Sequence, residues 1–252
     1  MFPIISLSVV LAGVAAGPLA DPWQREYTAD EAHDAAVIAL WPFSAGSERT
    51  DASGHGHDLK LQGAKPTAAG RFGGGLQSFP GWPVRDERHA AVAAPDPALS
   101  PAGAFTIDLW LQPAVDLPPT GNVFLLCKKY VSNNDYQMML TPEHDGRRRV
   151  VCNLGFGDDS EAFSSDAGEW PAGVWQHLAM TYDGAGTVQF HRNGEPIGGR
   201  TAPGRRSIAP GPLPLSIADR TGSNYGGFAG VLDQVRISKG VREFGRLRVE
   251  LD

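Results

Sequence analysis

The stretch that decides the fold is Trp175-Gln176-His177-Leu178-Ala179-Met180-Thr181-Tyr182-Asp183-Gly184-Ala185-Gly186-Thr187-Val188-Gln189-Phe190-His191-Arg192-Asn193-Gly194. Leu178, Met180 and Tyr182 recur with period two, Asp183 to Gly186 supplies a turn, and Val188 and Phe190 resume the alternation. Alternation of this kind marks strands that bury one face. Asn193-Gly194 then offers two residues that accept positive φ, as a tight hairpin turn requires. The stretch predicts a meander of three antiparallel strands. Its apolar row needs a covering layer, and the rest of the chain offers strands and almost no helix. That layer must be a second sheet.

Outward from the meander, strand signals recur about every ten residues. In Ala104–Gln112 the side chains of Phe105, Ile107, Leu109 and Leu111 fall on one face, with Thr106, Asp108 and Trp110 on the other. Ala36–Phe43 reads as the first strand and Phe228–Ser238 as the last. Between them, 123–127, 136–140 and 149–152 read as a second meander. Glycine (31) and proline (20) are spread along the chain as many short turns demand. At 252 residues this all-β pattern fits one domain. The expected architecture is an antiparallel jelly-roll sandwich of two sheets.

A net charge of −6 argues against nucleic acid or an anionic membrane as the main partner. The apolar run Ile4–Ala16, ending in small residues, reads as a signal peptide over 1–17 that is too short to span a bilayer. Residues 18–34 are expected to be a leader or short helix before the domain, 35–245 the domain and 246–252 a tail. The expected location is secreted, periplasmic or on the cell surface. Such a compartment permits a disulfide between Cys127 and Cys152. If 123–154 is a meander, however, the two lie two strands apart, about 9–10 Å, which favours two buried free thiols.

With these pieces in order, the chain resembles the laminin-G-like domains of the concanavalin A-like lectin/glucanase superfamily. The matching motifs are Leu40-Trp41-x-Phe43, Asp51-x-Ser-Gly-His-Gly56, Gly70-Arg-Phe-Gly73 and Phe105-Thr-Ile-x-x-Trp110. Trp175-Gln-His-Leu-Ala179, Tyr182-Asp-Gly184, Asn193-Gly194 and Gly230–Ile237 follow. Asn193 stands where the family usually has Asp, and Gln234 where it often has Glu. The resemblance implies a jelly roll that hosts binders and enzymes alike.

It also implies a structural calcium ion joining the two terminal strands. Asp51, the carbonyl-rich loop to Gly56, and Asp233 are the expected ligands, since calcium takes six to eight oxygens. Asp58 could add to them. The alternative is that Asp51 caps a turn and Asp233 meets Arg236 or a backbone N–H. His55 and His57 lack a third soft ligand and read as loop histidines.

Glycosidases of this fold carry Glu-x-Asp-x-Glu on one strand, and no such string occurs here. Asp158-Asp159-Ser160-Glu161 reads as a solvated loop, so no catalytic residue is assigned. Sugar binding asks for aromatic faces beside Asn and Asp side chains. Asn133, Asn134, Asp135, Trp170, Asn224 and Tyr225 are the expected loop set, with Trp82 and Phe156 beside them. The expected function is an exported module that binds a carbohydrate or an extracellular protein ligand. A glycan-active hydrolase or lyase, and a protein-interaction scaffold, are the alternatives.

Overall fold

The computed structural model describes residues 22–78, 89–115, 117–221 and 226–245. In these residues the chain runs through β1 (Val37–Trp41), β2 (Leu59–Gln62), β3 (Lys65–Gly70), β4 (Gly73–Ser78) and β5 (Ala90–Ala93). It continues through β6 (Phe105–Pro113), β7 (Val123–Cys127), β8 (Tyr136–Leu140), β9 (Val150–Gly155) and β10 (Ser160–Ser164). The last five are β11 (Gln176–Tyr182), β12 (Thr187–Arg192), β13 (Glu195–Thr201), β14 (Leu215–Ile217) and β15 (Gly230–Lys239). They form two antiparallel sheets. The first has the order β13-β12-β11-β6-β15-β4-β3, with β1 also on β15, and the second is β10-β9-β8-β7-β14-β5-β2.

The meander expected over 175–197 is β11, β12 and β13. Its turn residues Asn193 and Gly194 both have positive φ, 52° and 80°. Gly194 is needed twice over. A Cβ there would come within 2.7 Å of the Trp23 ring and the Phe244 carbonyl.

The chain ends meet as expected, with Trp41 opposite Val235 and Val37 opposite Ser238. Between the sheets lies one core. The first sheet contributes Phe105, Ile107, Leu109, Leu178, Met180, Tyr182, Val188 and Phe190, and the second Leu125, Tyr136, Met138, Val150, Cys152 and Leu154. Each large apolar side chain taken fully out of water contributes about 1.5–3 kcal/mol, which is what presses the sheets together.

Cys127 and Cys152 are free and buried. They sit on β7 and β9 with β8 between, and Cys127 looks away from the core while Cys152 looks into it. Opposite faces as well as distance keep them apart.

The stretch expected as a leader or short helix packs onto the domain. Trp23, Tyr27 and Ala32 are buried. A turn of helix (Ala29–Ala32) is opened by a capping box between Thr28 and Glu31. Together with Phe244 this strap covers the outer face of the first sheet over Trp110 and Ala179. The two aromatic anchors sit in a polar, acidic stretch, so no periodicity announced them. Residues 1–17 and 246–252 lie outside the described residues, as do Trp82, Asn224 and Tyr225.

Candidate ligand-binding face

The outer face of the second sheet carries two parallel rows of side chains. Strand alternation sends Phe124 (β7), Met139 (β8) and Val151 (β9) outward, where they gather with Cys127 into an apolar cluster separate from the core. The register pairs Phe124 with Met139 and Met139 with Val151. The neighbouring row is polar. Cys127 stands opposite Gln137, and Gln137 opposite Asn153.

Two features flank these rows. The guanidinium of Arg220 lies 5.2 Å from the Phe124 ring centre and 4.8 Å from that of Tyr130. Tyr130 is among the few large apolar side chains left exposed, at 36%. The aromatic–cation stack fixes the plane of an accessible ring at the edge of the sheet. Gln137 uses only its Oε1, towards Cys127 Sγ at 3.8 Å, and among the described residues the Asn153 side chain makes no hydrogen bond. The apolar strip is itself buried, at 3% for Phe124, 7% for Met139 and 9% for Val151, as is Gln137, so the side chains this face leaves accessible are the half-buried Asn153 and the exposed Tyr130.

The expected loop residues divide. Asn133 donates from Nδ2 to the Asp158 carbonyl (2.7 Å) and accepts from Ser160 Oγ (3.0 Å). Asn134 Nδ2 donates to the Pro210 carbonyl (2.8 Å). These two amides tie three loops together at one end of the second sheet. Asp135 is buried, salt-bridged to the buried Lys128 (3.0 Å), and accepts from Ser100 Oγ (2.5 Å). It braces the loop from within. Trp170 is brought nowhere near them in hydrogen-bonding terms. It is buried and stacks under Arg192 at 5.3 Å, lining a small hollow of about 160 Å³. The acidic loop is engaged as well. Asp159 and Glu161 both pair with Arg205, at 2.6 and 2.9 Å, so they do not form a free acid pair.

Asp51 lies beside β1, as the resemblance implies. Its Oδ1 accepts from the backbone N–H of Leu40 (3.1 Å) and Ser53 (3.0 Å) and from Ser53 Oγ (2.6 Å). Its Oδ2 accepts from the His57 N–H (3.1 Å) and faces His57 Nδ1 at 3.2 Å. Burial raises its pKa, but the bonds from Ser53, Leu40 and His57 outweigh that and hold it below the ordinary range. Gly56, at φ 83°, is exposed and lets the loop fold back around the carboxylate.

Asp233 accepts from the N–H of Phe72 (3.0 Å) and Gln234 (2.7 Å), and burial pushes its pKa up to about 7 against those bonds. Both carboxylates thus face N–H donors. Among the described residues no group of three or more His, Cys, Asp or Glu side chains is placed to hold a metal. A donor set of this kind does not fit calcium, which needs oxygens whose lone pairs are open to it.

The chemistry that the sequence reading did not assemble lies under the strap. Asp108, fully buried on the outer face of the first sheet, accepts from Arg236 Nε (2.9 Å) and Nη2 (3.2 Å) and from the Tyr27 hydroxyl. His177 Nε2 stands 3.4 Å from the same carboxylate. Burial opposes ionisation of Asp108, but the charge of Arg236 and the hydrogen bonds from His177 and Arg236 hold its pKa well below the usual carboxylate range. Burial pushes His177 down, against the pull of Asp108. Trp23, Trp110 and Phe244 seal the cluster, with ring centres 5.3–5.5 Å from the imidazole. Asp108 and His177 are fully buried beneath these rings, and the cluster acts as the fastening of the strap.

A family model described as the concanavalin A-like lectin/glucanases superfamily, laminin-G type, matches residues 86–243. The chain belongs to this superfamily. The solved structures similar to it include the binding domain of Paraclostridial mosquitocidal protein 1, at 17% identity and a TM-score of 0.63. That match covers 83% of this chain and 50% of that one. Domain 4 of AbnA, a GH43 extracellular arabinanase from Geobacillus stearothermophilus in complex with arabinotriose, matches at 18% identity and a TM-score of 0.58. There 81% of this chain and 93% of that one are covered. The binding domain of botulinum neurotoxin serotype G matches at 12% identity and a TM-score of 0.60, over 82% and 49% of the two chains. The chain thus spans about half the length of the toxin binding domains. At these identities the likeness is one of fold. No curated protein matches at a significant level. No helix among the described residues is long and apolar enough to cross a membrane.

Proposed function

We propose that this member of the superfamily is an exported carbohydrate-binding module and that its ligand lies on the outer face of the second sheet. One observation carries the reading. A shallowly buried apolar row, Phe124-Met139-Val151, runs beside the amides of Gln137 and the half-buried Asn153, with Arg220 and the exposed Tyr130 at the edge. A pyranose or furanose ring has just this division between C–H face and hydroxyl rim, and both halves must be met for a sugar to leave water. The arabinotriose-bound neighbour supports a saccharide on this fold, while the site itself is argued from this chain's residues. The unbridged thiols neither require nor oppose export.

The test is retention of the purified protein on a panel of immobilised plant and microbial polysaccharides. Wild type is compared with Tyr130→Ala and with Gln137→Ala/Asn153→Ala. At least one polysaccharide should retain wild type, and each variant should bind it about tenfold more weakly or worse, the loss expected for one aromatic platform or two hydroxyl-reading amides. Binding that survives both changes would place the site elsewhere, and retention by no polysaccharide would end the reading.

A further inference from the structure

An open pocket of about 540 Å³ sits at the turn between β8 and β9, lined by Thr141, Pro142, His144, Asp145, the three consecutive arginines 147–149 and Ala167. It stands out in a chain whose net charge is −6. The three guanidinium groups are not equivalent. Arg148 is buried, and its guanidinium is used up on the carbonyls of Thr141 (3.0 Å) and Pro118 (2.5 Å), with Glu143 3.7 Å away. It builds the wall. Arg149 gives Nη1 to the Ser165 carbonyl (2.7 Å) and makes no ion pair among the described residues. Arg147 is exposed and has neither an ion pair nor a side-chain hydrogen bond among them. The acid on the rim, Asp145, faces His144 at 3.1 Å. The pocket therefore presents the free guanidinium of Arg147 and that of Arg149, which spends only Nη1 on a carbonyl, and its one lining carboxylate, Asp145, is exposed beside His144.

Its position gives this charge a use. Arg149, Val151 and Asn153 are alternate residues along one strand, all outward, about 7 Å from one to the next. The pocket is thus the continuation of the two rows described above, past Met139 and Val151 to Thr141 and Arg149. We infer that the ligand of this face is an acidic glycan, and that a carboxylate of one of its sugars is read in this pocket by Arg147 and Arg149. This rests on the proposed function and deepens it. Arginine suits the role because its planar fork meets both oxygens of a carboxylate at once. A sulfate ester would offer the same negative charge in a tetrahedral arrangement.

The experiment measures binding to polygalacturonate and alginate, to the methyl esters of both, and to dextran sulfate. Wild type is compared with Arg147→Gln/Arg149→Gln, whose changes are both on exposed residues, and melting curves confirm that the variant is folded. Esterification, which keeps the sugar and removes the charge, should weaken wild-type binding about tenfold or more. The double variant should bind acid and ester alike, at the affinity of wild type for the ester. Equal binding of acid and ester by wild type overturns the inference and leaves the sugar-binding face standing. Equal or tighter binding of dextran sulfate overturns the carboxylate assignment. If neither acid binds, the inference fails, and the Tyr130 and Gln137/Asn153 variants on the neutral panel decide the face separately.

Discussion

Replacing Asp108 with asparagine keeps the shape of the side chain and removes its charge. Arg236, itself buried, then has no counter-charge within hydrogen-bonding reach among the groups described here, because its Nε and Nη2 both point at Asp108. The Tyr27 hydroxyl and His177 Nε2 address the same oxygen, so the amide nitrogen of an asparagine would confront at least one donor. Breaking one side of a buried ion pair costs about 3–5 kcal/mol. For a domain of this size that lowers the melting point by roughly 6–20 °C. Urea unfolding should show the same loss in midpoint with an unchanged slope, since the surface exposed on unfolding is the same. A companion variant, Asp108→Leu/Arg236→Met, removes both charges and should recover most of the stability. A loss under about 1 kcal/mol in Asp108→Asn would refute the reasoning. It would mean that the cluster is hydrated and that the strap over it is no part of the cooperative unit.

The strap also gives stability a pH dependence. His177 is held neutral by burial, its pKa below the reference 6.5, so unfolding takes up a proton as the solution is acidified. Its contribution is complete above pH 6.5 and declines as pH falls towards the folded value, and a His177→Gln variant should show a flatter melting-point profile between pH 7 and 5. His191, lowered by burial and by His177, adds to the slope with the same sign. Asp51→Ala should destabilise by about 2–4 kcal/mol, because it strands the Leu40, Ser53 and His57 donors, and adding calcium or a chelator should leave the wild-type melting point unchanged. A calcium-dependent rise in melting point would show that the loop rearranges around the ion. Burial raises both thiol pKa values, so native protein at pH 8 should react with a thiol reagent far more slowly than unfolded protein.

The parts of the fold legible in the sequence are those where one face of a strand is apolar and the other is not. On β6 and β11 the alternation separates Leu109 and Leu178 from Asp108 and His177, and the inward rows follow at once. The pairing of the terminal strands followed from the jelly-roll resemblance. The second sheet hides its outer face because β7 is apolar on both sides and a bulge between Phe124 and Leu126 shifts the parity. Only the partners on β8 and β9 reveal that Phe124 looks outward with Met139 and Val151. Loop polarity was read correctly as loop, but it does not distinguish an amide that meets a ligand from one that ties two loops. Asn133 and Asn134 do the second, and the proposed site gives the first to Gln137 and Asn153, on strands. Tyr27 and Asp108 are 81 residues apart, and no local pattern connects them.

The central claim is where the ligand lies, and chemical-shift titration of isotope-labelled protein with the best-retained oligosaccharide measures that directly. The largest changes should fall on Tyr130, Gln137, Met139, Val151 and Asn153, and the strap-covered face around Ala179 and His191 should stay quiet. Changes concentrated around Ala179 and His191, or at Trp170 and Arg192, with the second sheet silent, would contradict the account.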